Sequence, residues 1–98
     1  MNLRLTPQAL ADAKAIKTWW HQNRSAVPDA FEQELNTALE RILRTPGLGN
    51  IYEQGDLAVL VRRVLLSKTK NHVYYAIEGS DVVVLAIWGA PRGRGPRL

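Results

Sequence analysis

The opening Asn2-Leu3-Arg4-Leu5-Thr6 alternates apolar and polar residues, the period of a strand with one buried face. Thr6-Pro7 then ends it and starts a helix, since Thr caps well and Pro suits the first helical position, where its missing N–H would be unpaired anyway. From Pro7 to about Asn23, Ala9, Ala13, Ile16 and Trp20 recur at helical spacing beside Leu10. The small residues of this stripe predict close packing against the next helix. Pro28 disfavours helical geometry at Val27, so the chain turns before a second helix whose apolar face is Phe31, Leu35, Ala38, Leu39 and Ile42. Pro46-Gly47 stops it. A connection this short makes the pair an antiparallel helical hairpin.

From Gly47 to Asp56 glycines interrupt every pattern, leaving a loop with room for a short strand at Asn50-Ile51-Tyr52-Glu53. Three runs rich in β-branched and aromatic residues follow, Ala58 to Leu66, His72 to Glu78 and Val82 to Trp88. Hairpin-length connections, Ser67 to Asn71 and Gly79-Ser80-Asp81, join them into an antiparallel meander. Val82-Val83-Val84-Leu85-Ala86-Ile87-Trp88 is apolar at both parities, as expected of a central strand covered on both faces, with the N-terminal strand beside it. Residues 89–98 hold three arginines, three glycines and two prolines, and form a basic tail without a packed element. The fold class expected is α+β in one domain spanning 1–98: an N-terminal strand, a helical hairpin, then a three-stranded meander packed on the helices.

Composition narrows this further. At 98 residues, 46% hydrophobic and 22% charged, the chain has material for one core and none of the bias of a disordered segment. With no cysteine, it has neither disulfides nor a thiolate metal site, which suits a reducing cytoplasm. Its longest apolar run is too short to span a bilayer, and no signal-peptide pattern opens it, so neither membrane nor secretion is expected. Residues 1–61 carry six Lys/Arg against seven Asp/Glu, net −1; residues 62–98 carry seven against two, net +5. The final third therefore faces an acidic partner, whether nucleic acid, nucleoprotein or acidic protein.

The order of elements, with Leu3-Arg4-Leu5-Thr6-Pro7-Gln8-Ala9 before a long helix, Phe31 in the second helix and Pro46 beyond it, resembles the RelE/ParE superfamily of bacterial toxins. Val61-Arg62-Arg63-Val64-Leu65, His72-Val73-Tyr74-Tyr75-Ala76-Ile77 and Val82 to Trp88 before an Arg-rich end carry the likeness through the sheet. The resemblance implies a toxin of a type II toxin–antitoxin system of the plasmid-stabilisation kind. Such a toxin is neutralised by a cognate antitoxin in a hetero-oligomer and needs no cofactor or metal. It leaves two targets open: RelE-like members cut mRNA on the ribosome, and ParE-like members inhibit DNA gyrase.

The residues discriminate between these. Metal-free RNA cleavage needs a base for the 2′-hydroxyl, a cation for the phosphate and an acid for the leaving oxygen. RelE-like nucleases resemble one another in drawing on basic strand residues and, in many members, a Tyr or His near the C-terminus; here neither residue follows Tyr75. A nuclease would have to use His72 or Tyr74 with Arg62 or Arg63. Adjacent strand residues point to opposite faces, so Arg62 and Arg63 are not expected to act together. A binding protein needs only side chains that grip, and Trp88, Arg92, Arg94 and Arg97 are the candidate target contacts, since the guanidinium fork binds carboxylate or phosphate without proton transfer. Trp19, off the centre of the first helical stripe, is the candidate antitoxin contact together with Arg62 and Arg63. The reading is thus a gyrase inhibitor, with a ribosome-dependent mRNA endonuclease or a non-toxic nucleic-acid-binding adaptor as alternatives.

Overall fold

The computed structural model describes residues 1–53, 59–89, 96 and 98. Along the chain these form β1 (Asn2–Leu5), α1 (Pro7–Asn23), α2 (Ala30–Arg44), β2 (Asn50–Ile51), β3 (Val61–Leu66), β4 (Asn71–Glu78) and β5 (Asp81–Gly89). One sheet runs in the order β1-β5-β4-β3-β2, with β1 parallel to β5 and the other neighbours antiparallel. The expected central strand is central, and the short strand at Asn50 adds a fifth to the edge. Both hairpins form, the second through a two-residue Gly79-Ser80 turn whose Gly79 has φ +60°, a left-handed conformation that glycine adopts without strain.

Both helices cover one face of the sheet. Ala9 of α1 and Phe31, Leu35, Ala38, Leu39 and Ile42 of α2 pack there on Leu66, Val73, Tyr75, Val82, Val84 and Ile87. The alanine stripe does permit close approach, but chiefly to β5 rather than to α2. A flat strand accepts a small-residue helix face as readily as another helix does. Leu10, placed beside the stripe by its spacing, is 57% exposed on the outer side of α1.

The β5 segment is buried on both faces and contains a bulge. Tyr75 pairs with Val84 and Tyr74 with Ala86, so Leu85 is an extra residue and the side-chain alternation changes phase across it. Val82 and Val84 before the bulge and Ile87 after it all face the helices, while Val83 and Ala86 face the other way. A bulge leaves backbone groups without strand partners, and the start of α1 supplies them. The Thr6 hydroxyl donates to the Leu85 carbonyl (3.1 Å) and accepts from the Ala9 N–H (3.1 Å), capping the helix and the bulge together. One turn on, Asp12 Oδ2 accepts from the Ile87 N–H (3.0 Å).

A second set of ties fixes the chain after α2. The Tyr75 hydroxyl, on a fully buried side chain, donates to the Pro46 carbonyl (2.7 Å) and accepts from the Gly49 N–H (2.9 Å). Arg62 Nη1 donates to the Gly49 carbonyl (2.9 Å). Position 49 must be glycine, because a Cβ there would lie 2.9 Å from the Arg63 carbonyl oxygen. The β3–β4 turn is held from α2: Glu34 accepts from the backbone N–H groups of Lys68 (2.7 Å) and Thr69 (2.9 Å) and from the Thr69 hydroxyl (2.7 Å).

Replacing Tyr75 by Phe keeps the packing and removes both hydroxyl bonds, leaving the buried Gly49 N–H without its acceptor. A loss of about 1–3 kcal/mol is expected. It would be read as a lower urea midpoint at unchanged m-value.

Candidate functional site on the open sheet face

The face of the sheet opposite the helices carries a smaller apolar cluster of Val61, Tyr74 and Ala86, flanked by Tyr52, Leu85 and Trp88. Strand alternation brings polar groups to the same face. Arg63 is paired with Tyr74, and His72 lies between Leu65 and Trp88 in the register. Tyr52, just past β2, folds over the cluster, with its ring 4.8 Å from that of Tyr74 at 73° and the Arg63 guanidinium 5.4 Å from its centre. The His72 ring meets Tyr74 edge-on at 6.0 Å. The Tyr52 hydroxyl donates to the carbonyl of Pro96 (3.4 Å), a buried residue that therefore lies against this face.

The electrostatics follow from burial beside a cation. Burial, and after it the Arg63 charge, hold the His72 imidazole below its ordinary value, so the ring is neutral at pH 7. Burial first, then neighbouring Tyr74, raise the Tyr52 phenol, with Arg63 opposing; Tyr52 stays protonated. Among the described residues the face therefore offers the Arg63 cation, the protonated Tyr52 phenol and a neutral imidazole, a set suited to gripping an anionic or carbonyl-bearing partner.

Of the four residues a nuclease would use, Arg63, His72 and Tyr74 meet on this face. Arg62 does not; it turns to the helix side and is occupied by the Gly49 carbonyl. Tyr74 is 2% exposed beneath Tyr52 and presents almost no surface to a substrate. Trp88, expected as an exposed contact, is half-buried against the cluster. Arg92, Arg94 and Arg97 lie outside the described residues. Trp19, Arg62 and Arg63 do not form one patch: Trp19 stands on α1, 47% exposed with Arg24 over its ring, and the two arginines point to opposite sides of the sheet. Tyr52 escapes a reading by periodicity because its strand is only two residues long; its one signal is an aromatic side chain in a glycine-rich loop.

Among the described residues, metal-ligating side chains gather at His21, Asp29 and Glu32, exposed where the two helices meet, with donor atoms within 4.8 Å of one another. Their contacts link the end of α1 to the start of α2. His21 Nε2 lies 2.9 Å from Glu32 Oε1, and Lys17 Nζ is 3.4 Å from the other Glu32 oxygen. The His21 hydrogen bond is the main reason the Glu32 carboxyl sits below its ordinary value, with slight desolvation opposing and Lys17 adding to the effect.

The fold is shared with solved structures, of which two serve as examples. A chain of the chromosomal ParDE TA (toxin–antitoxin) system from P. aeruginosa superposes with a TM-score of 0.71 at 18% identity, covering 91% of this chain and 95% of its own. The isolated E. coli RelE toxin superposes at 0.59, also at 18% identity, covering 93% and 85%. The architecture is that of the RelE/ParE toxins. No curated protein matches the sequence significantly, but residues 3–92 match the family described as the ParE toxin of the type II toxin–antitoxin system, parDE. The chain belongs to the ParE toxin family.

The lowered His72 value carries a pH dependence. The fold favours the neutral ring, whereas the unfolded histidine takes up its proton near 6.5. The contribution to stability is therefore complete above that pH and is lost as pH falls below it through the folded-state value. In an NMR titration His72 should show a midpoint below 6.5, and Arg63→Gln should move it partly back upward.

Proposed function

We propose that this protein is a toxin that acts by binding DNA gyrase rather than by cutting RNA, and that a cognate antitoxin neutralises it. The observation that carries the reading is that two of the four residues a nuclease would use, Arg62 and Tyr74, are taken out of reach. Arg62 is turned away and bonded to Gly49, Tyr74 is buried under Tyr52, and no Tyr or His follows Tyr75. What the open face retains is a surface for recognition: Arg63 beside Tyr52, flanked by Trp88. Arginine and aromatic side chains are the residue types that dominate protein–protein contacts. Membership of the ParE family supports the same choice of target. In this reading Arg92, Arg94 and Arg97 extend the gripping surface, and the protein works in the cytoplasm, where gyrase is. No helix among the described residues is long and apolar enough to cross a membrane, which is compatible with that site of action.

A second reading, cleavage of mRNA on the ribosome, draws on one observation: a neutral imidazole, His72, stands on the same face as the cation Arg63. The two readings separate in a paired assay. Purified protein should inhibit gyrase supercoiling and leave mRNA intact on translating ribosomes, and the triple replacement of Arg92, Arg94 and Arg97 by Ala should weaken inhibition at least about tenfold, the loss of one or two charge-assisted contacts. Ribosome-dependent cleavage that disappears in His72→Gln would establish the second reading instead. Growth arrest on expression, relieved by co-expression of the neighbouring small gene, tests the antitoxin; absence of arrest would point to an adaptor.

A further inference from the structure

Between α1 and the β3–β4 turn lies a recess of about 580 Å³ that the open-face site does not include. Its apolar side is an edge-to-face pair, Trp19 and Trp20, with ring centres 5.7 Å apart at 73°. Arg24, the residue that caps the end of α1, places its guanidinium 5.5 Å from the Trp19 ring centre. Lys68 and Lys70, on the turn that faces the helix, complete the rim, and among the described residues the lining contains no carboxylate. Among the described residues none of these three cations has an acidic partner within 4 Å. Glu34, which reaches the same turn, spends both oxygens on the backbone N–H groups of Lys68 and Thr69 and on the Thr69 hydroxyl.

Three unpaired cations around a half-exposed indole match what a nucleic acid strand presents: flat bases to stack and phosphates at intervals to neutralise. An acidic helical peptide fits less well. It needs apolar anchors repeated along a groove at successive helical turns. Here the apolar surface is concentrated in one indole pair, with only Ala15 and Ile16 beside it.

We propose that this recess binds single-stranded nucleic acid, one base stacking on Trp19 while Arg24, Lys68 and Lys70 hold the adjoining phosphates. The site is independent of the gyrase reading, and either can fail alone. The test is fluorescence anisotropy of the purified full chain with labelled oligo-dT and oligo-U. Binding is expected with a log–log salt slope near −2, the value for about three released counterions on a single strand. Trp19→Ala should weaken it about tenfold, as loss of one stacked base does. Trp19→Phe should keep most of the affinity, which separates stacking from misfolding. Lys68→Glu with Lys70→Glu should flatten the salt slope, and Arg44→Glu, at the far end of α2, should change little. Tighter binding of dT assigns DNA, and of U assigns RNA. Absence of binding to either oligomer overturns the proposal. So does equal loss in the Trp19→Ala and Arg44→Glu variants, which would mean diffuse charge attraction. Trp19-dependent binding of a peptide of alternating Glu and Leu, with none of either oligonucleotide, would reassign the recess to an acidic protein partner.

Discussion

The bulge at Leu85 is the constraint on which the arrangement depends. Without it, β5 would keep one parity throughout, and the residues after Val84 would present Ala86 and Trp88, not Ile87, to the helices. The bulge restores an apolar helix-facing side beyond the midpoint of the strand, at the cost of unpaired backbone groups in a buried strand. Such groups cost about 1–3 kcal/mol each when left unsatisfied. Thr6, the N-cap of α1, and Asp12, in its second turn, satisfy the Leu85 carbonyl and the Ile87 N–H. The first residues of the chain thus hold the irregularity in its last strand, which orders β1, α1 and β5 as a unit.

The same alternation divides the chemistry between two faces. Arg62 and Arg63 are neighbours in sequence with separate roles. Arg62, with Tyr75, ties down the loop that follows α2, and Gly49 lets that loop come close enough to be tied. Arg63 is left on the open face under Tyr52, beside His72 and Tyr74. The loop latch therefore holds Arg62 on the helix side of the sheet, while Arg63, His72, Tyr52 and Tyr74 share the other face.

Much of the scaffold was legible because local signals agreed. Thr6-Pro7, Pro28, Pro46-Gly47 and Gly79 each carry a backbone constraint that acts within a few residues, and the strands between them are long enough to show their period. The site was less legible. Arg63, His72 and Tyr74 could be placed on a common face by parity, but Tyr52 lies outside any periodic run and joins them only through the β2–β3 pairing. The partners of Glu34 and Asp12 were equally hidden, since each reaches backbone groups more than thirty residues away.

What the sequence determined by itself was the order and kind of the elements, the centrality of Val82 to Trp88 and the separation of Arg62 from Arg63. These follow from short-range stereochemistry and from the two-residue repeat of a strand. Only the tertiary structure decided which face each of them took. A repeat specifies alternation and not absolute phase; phase is set by the bulge, by the helices that bury one side of the sheet, and by the Gly49 carbonyl that claims Arg62.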